Sequence, residues 1–103
     1  MVRTYNLKPM QDAQEQARTA VATVYGREGC GFCVRAKILL EQTGAAVEYV
    51  DLTGDIDEQR ALSERTGMFT MPQIFVDDEL IGGYDDMVLA LQNPRVREAL
   101  GIN

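Results

Sequence analysis

Cys30 and Cys33 are the only cysteines in the chain, and they are separated by Gly31 and Phe32. The pair is entered from the apolar run Val21 to Tyr25 and leads directly into a helical pattern. That order is the sequence form of a dithiol that exchanges with disulfides. Cys30 falls at the helix start, where unpaired N–H groups and the positive end of the macrodipole favour a thiolate. Thiols so placed have pKa values of roughly 3.5 to 7.5, against about 8.5 for a free cysteine. Cys30 is therefore the expected nucleophile. Cys33, one helical turn further in, is shielded yet close enough to attack a disulfide formed at Cys30, and it is read as the resolving thiol.

Three plainer readings stand beside this one. A purely structural crosslink closing so short a loop constrains the unfolded chain little. A zinc site normally takes four Cys or His ligands, and with two cysteines and no histidine the chain does not supply them alone. Two ordinary buried thiols, acting as small hydrophobes, are the third alternative. Redox exchange carries most of the weight.

The elements that must position the pair belong to a chain of 103 residues, 46% hydrophobic, long enough for one domain with its own core. A single domain over 1–103 is expected. Ten basic against 16 acidic residues, net charge −6, argue against nucleic acid, which requires a basic face. There is no apolar run of membrane-spanning length and no charged-then-apolar leader, so no membrane partner and a soluble, cytoplasmic protein are expected. Cytoplasmic thiols are kept reduced, which favours a cysteine pair that cycles.

Residues 1–8 read as a loose N-terminal arm, and Pro9 with Met10 to Arg18 as a modest helix. Val21 to Tyr25 suits a strand in the middle of a covered sheet. The next helix has Val34, Ile38, Leu39 and Leu40 as its apolar positions and Gly44 as its stop. Val47 to Leu52 is a second strand, so strand, helix and strand imply a parallel pair with a right-handed crossover. Asp55 or Asp57 caps a helix to about Thr66, with Ile56 and Leu62 among its apolar positions and Gly67 ending it. Gln73 to Val76 and Leu80 to Ile81 form a hairpin across Asp77, Asp78 and Glu79. Gly82 and Gly83 break it, Asp85 caps a helix Asp86 to Leu91, and Asn93 with Pro94 leads to a last turn or two, Arg95 to Leu100.

From about Ala20 to Leu91 the chain resembles the dithiol glutaredoxins. The residues that carry the resemblance are Cys30-Gly31-Phe32-Cys33, the run Thr70-Met71-Pro72-Gln73-Ile74-Phe75, and Ile81-Gly82-Gly83-Tyr84-Asp85-Asp86. The resemblance implies an α/β, thioredoxin-like fold with a four-stranded mixed sheet flanked by helices. It also implies a glutathione-dependent oxidoreductase that reduces protein disulfides and glutathione mixed disulfides, and a monomer is expected. Pro72 would follow a cis bond that turns the Met71 backbone toward the incoming glutathione cysteine. The γ-glutamyl end would lie by Gly83, its carboxylate on the Asp85 N–H and its ammonium near Asp86. Arg27 and Gln59 would meet the glycine carboxylate, with Arg27 also favouring the Cys30 thiolate. Phe32 and Thr70 complete the implied glutathione site.

Two departures and two alternative functions accompany the resemblance. Gly31 stands where many dithiol members have proline, and Phe69 where many have arginine. Gly31-Phe32 is also similar to the monothiol members, in which paired subunits hold an iron–sulfur cluster, so Cys30 is a candidate ligand for a [2Fe–2S] centre. Cys33 and the lack of that group's longer preceding loop weigh against it. The other alternative is a thioredoxin-like hydrogen donor to an enzyme such as ribonucleotide reductase.

Overall fold

The computed structural model describes residues 19–102. The arm 1–8 and the helix expected over Met10 to Arg18 lie outside the described residues. Strand β1 (Val21–Gly26) is central: it pairs in parallel with β2 (Ala46–Asp51) and antiparallel with β3 (Gln73–Val76). Strand β4 (Glu79–Gly82) adds antiparallel to β3, giving a mixed four-stranded sheet in the order β2-β1-β3-β4. Helix α1 (Gly31–Gln42) joins the parallel pair, and α2 (Ile56–Thr66) joins β2 to β3. Helices α3 (Tyr84–Ala90) and α4 (Pro94–Ala99) follow the hairpin. The architecture is the thioredoxin-like one that the resemblance implied. No helix among the described residues is long and apolar enough to cross a membrane.

Side chains two apart on a strand share a face. Ala22 and Val24 of β1 are both fully buried, and the register sets them beside Val76 and Ile74. Ala36 and Leu40 of α1, Ile81 of β4 and Met87 and Ala90 of α3 close over them to form the core.

The core corrects the expected face of α1. Its buried residues are Cys33, Ala36 and Leu40, whereas Val34 and Ile38 are 52% and 45% exposed. Positions three and seven residues beyond Cys33 share its stripe, so burying the inner cysteine selects Ala36 and Leu40 over the competing stripe. Leu39, on the boundary, is partly buried. Ile56 is likewise exposed because it opens α2 in the first turn, while Leu62 is buried as expected.

The helix punctuation follows side-chain chemistry. Asp55 caps α2 by accepting the Glu58 N–H at 3.2 Å, and Gly67, with φ of 77°, ends it in the left-handed conformation. Asn93 caps α4 with Pro94 at its first position. At α3 the expected cap is overturned. The N-cap is Gly83, two residues earlier than the expected Asp85, and the carboxylate of Asp86 reaches back to accept the Gly83 N–H at 3.0 Å. Asp85 sits exposed in the first turn instead.

Candidate active site

The sheet register decides what meets the cysteines. Gly26 ends β1 opposite Asp51, the last residue of β2, and Tyr25 pairs with Gln73, the first of β3. The loop after β1, the loop after β2 and the segment before β3 therefore open at one end of the sheet. The first two are tied together. The Leu52 N–H donates to the Gly26 carbonyl at 2.8 Å, and the Glu28 N–H to Thr53 Oγ1 at 2.6 Å. Thr53 in turn donates its hydroxyl and its N–H to Asp51 Oδ1 at 2.5 and 2.9 Å. Those hydrogen bonds, the hydroxyl first, hold the exposed Asp51 carboxyl below its usual pKa. Gly29, with φ of 80°, then turns the chain into α1.

Cys30 is the N-cap of α1 and keeps extended backbone angles. Its sulfur accepts the Cys33 N–H at 3.1 Å, so one otherwise unpaired helix donor points at this atom. Cys30 and Cys33 form a disulfide, with Cα atoms 5.3 Å apart. Cys33 is 0% exposed, whereas Cys30 keeps part of its surface in solvent. The two sulfurs are thus unequal in access: an incoming thiol meets residue 30 first.

Other residues singled out in the sequence assemble on two flanks. On one, Arg27 Nη1 donates to Gln59 Oε1 at 3.3 Å, and Gln59 Nε2 donates to the Leu52 carbonyl at 2.8 Å. On the other, the Met71–Pro72 peptide bond is cis, and a Cβ added to Gly83 would stand 3.9 Å from the Pro72 carbonyl oxygen. Phe32, 53% exposed at the start of α1, reaches this second flank through Tyr84, with ring centroids 5.4 Å apart. Arg35 lies over the same Phe32 ring, its guanidinium carbon 5.5 Å from the ring centre. Met71 is half-buried, and Thr70 is exposed beside Phe69, which is 75% exposed.

Tyr84 and Arg35 were not recognised as neighbours of the site from the sequence. An aromatic directly after two glycines was a weak signal for Tyr84, and its meeting with Phe32 depends on the packing of α3 against α1. Among the described residues no group of three or more His, Cys, Asp or Glu side chains converges to hold a metal ion. A cluster held through Cys30 would need further ligands from outside that set.

A disulfide at a helix start, one sulfur accessible and one buried, beside a cis-proline loop on a small mixed sheet, defines a thioredoxin-like thiol–disulfide oxidoreductase. The narrower assignment comes from comparison. Residues 22–81 match the family model described as Glutaredoxin. Glutaredoxin-C6 of Oryza sativa subsp. japonica is 44% identical over 84 residues, covering 79% of this chain and 74% of the relative. Glutaredoxin 3 of Escherichia coli strain K12 is 38% identical, covering 62% of this chain and 77% of the relative. A crystal structure of a buckwheat glutaredoxin–glutathione complex superposes with a TM-score of 0.70 at 30% identity, covering 86% of this chain and 84% of that one. The chain belongs to the glutaredoxin family.

Proposed function

We propose that the protein reduces glutathione mixed disulfides and protein disulfides with glutathione as the electron donor. The carrying observation is the asymmetry of the pair, with Cys30 accessible at the N-cap of α1 and Cys33 wholly buried. In the single-thiol route the Cys30 thiolate attacks the glutathione sulfur of a mixed disulfide. The protein thiol leaves with the electron pair and takes up a proton. A second glutathione thiolate then attacks the adduct, giving glutathione disulfide and restoring Cys30. In the two-thiol route Cys30 attacks a protein disulfide, Cys33 displaces the partner, and two glutathiones reduce the resulting Cys30–Cys33 bond. Both sulfurs come from one chain, so a monomer suffices.

In this reading the two flanks receive the two ends of glutathione. Arg27 and Gln59 take the glycine carboxylate, for which their mutual contact already fixes an orientation. The Met71 backbone beside the cis bond to Pro72 pairs with the cysteine moiety, with Thr70 and Phe32 at its sides. Gly83 and the N–H of Asp85 meet the γ-glutamyl carboxylate, and Asp86 faces the ammonium while continuing to hold the Gly83 N–H. The likeness to the buckwheat glutaredoxin–glutathione complex supports this ligand. In the same reading the protein works in a reducing compartment such as the cytoplasm, where a close pair cycles.

The test is a glutathione-coupled mixed-disulfide assay on purified protein. Cys30→Ser is expected to abolish turnover, and Cys33→Ser to retain measurable deglutathionylation. Equal and complete loss in both variants refutes the division of roles. Reduction of the wild type by a thioredoxin reductase and not by glutathione refutes the donor, and assigns the hydrogen-donor alternative.

A further inference from the structure

Tyr49 lies on β2 opposite Val24, half-buried against the core. Its ring extends toward the end of β1. A Cβ built on Gly26 would overlap the Tyr49 hydroxyl, stand 2.8 Å from its ring carbon Cζ and lie 2.9 Å from the Cβ of Cys33. The phenol oxygen and the Cys33 side chain therefore crowd the same side of Gly26. Gly26 itself is buried, and its missing side chain is what lets the two approach. Cys33 is fully buried, so its sulfur, once parted from Cys30, is poorly placed to be solvated by bulk water. A hydroxyl on the same side of Gly26 as that side chain is a hydrogen-bond donor of the right chemistry. Burial first, and the charge of Asp51 second, raise the phenol pKa above 10.0 and keep the hydroxyl protonated.

We infer that the Tyr49 hydroxyl donates a hydrogen bond to the Cys33 sulfur when the disulfide opens, and so tunes the two-thiol step. It rests on the reading of Cys33 as the inner, resolving thiol and not on glutathione as the donor. A reductant thiolate attacks Cys30 Sγ and forms a new S–S bond there. The Cys30–Cys33 bond breaks and its electron pair passes to Cys33 Sγ. Tyr49 keeps its proton and stabilises the new thiolate, which later takes a proton from solvent. In the reverse direction the same thiolate attacks the mixed disulfide at Cys30, and the reductant leaves.

The test compares wild type and Tyr49→Phe, with dithiothreitol as the two-electron reductant. The variant is expected to open its disulfide about tenfold more slowly. Its equilibrium should shift by about the same factor toward the disulfide, which is about 30 mV in a more reducing direction. In a Cys33→Ser background, exchange of Cys30 with cystamine is expected to be the same with Tyr49 or Phe at position 49. An unchanged equilibrium in the first comparison overturns the inference. Equal slowing in both backgrounds also overturns it, because that is the mark of a general structural role. An independent reading needs no substitution: the Cζ resonance of Tyr49 in the wild type should move on reduction, and a resonance that stays put overturns the assignment. A glutathione-assay failure with these results intact would refute the donor alone.

Discussion

Adding one carbon at Gly26 tests the packing between the end of β1 and the inner cysteine. Gly26 is not among the glycines with positive φ, so its backbone accepts alanine and the cost of Gly26→Ala is one of space. The new methyl would meet two neighbours of different character. The Tyr49 hydroxyl is the far end of a side chain that can swing, whereas the Cys33 Cβ, 2.9 Å away, is rooted in the backbone of α1 and cannot rotate aside. Overpacking of this kind costs about 1–3 kcal/mol. In a domain of this size each kcal/mol moves the melting temperature by about 4–8 °C, so thermal denaturation of the oxidised protein followed by circular dichroism should show a fall of about 5–20 °C. In a Tyr49→Leu background the hydroxyl is gone and only the conflict with Cys33 remains. The alanine should then cost less by about 0.5 kcal/mol or more, the coupling expected of residues that share a contact. A Gly26→Ala protein that melts at or above the wild type refutes the argument, and so do equal costs in the two backgrounds.

Two further perturbations probe the elements around the site. Asp55→Ala removes the acceptor for the Glu58 N–H and should cost about 1 kcal/mol in urea denaturation. Since α2 also carries Gln59, the variant should bind the glycine end of glutathione more weakly as well. The Asp51 carboxyl is held below its usual pKa by Thr53. Its contribution is therefore present above the unfolded-state pKa and is lost as pH falls through the lower folded-state value. Because Asp51 is exposed the effect is small, yet Asp51→Asn should show a shallower loss of stability in acid than the wild type, and parallel profiles would contradict it.

The order of elements was legible because its signals are local. The continuous apolar run before Cys30, the Asp55 cap, the Gly67 stop and the Asn93-Pro94 break each act within a few residues, and each lies where the sequence put it. Which stripe of α1 faces inward was not legible, because Val34 with Ile38 and Cys33 with Ala36 and Leu40 both have helical spacing. Only the sheet beneath chooses between them. The cap of α3 was misplaced by the same limitation on a smaller scale. Asp85 and Asp86 are chemically equivalent, and the backbone of Gly83 decides which carboxylate can reach back. At the site, the Arg27–Gln59 contact joins residues far apart in sequence that were named separately, each from the resemblance. Tyr84 and Tyr49 were passed over because aromatics on such elements read first as core, and their place beside Phe32 and Cys33 emerges only from the packing of the elements.

The short tether from Glu28 through Thr53 to Asp51, with Leu52 fastened to Gly26, has a dynamic consequence. The stretch leading to the accessible sulfur cannot fray by itself, since lifting it strips donors and acceptors from a segment some 25 residues along the chain. Amide exchange at Glu28 and Leu52 should then report one concerted opening in place of two independent ones.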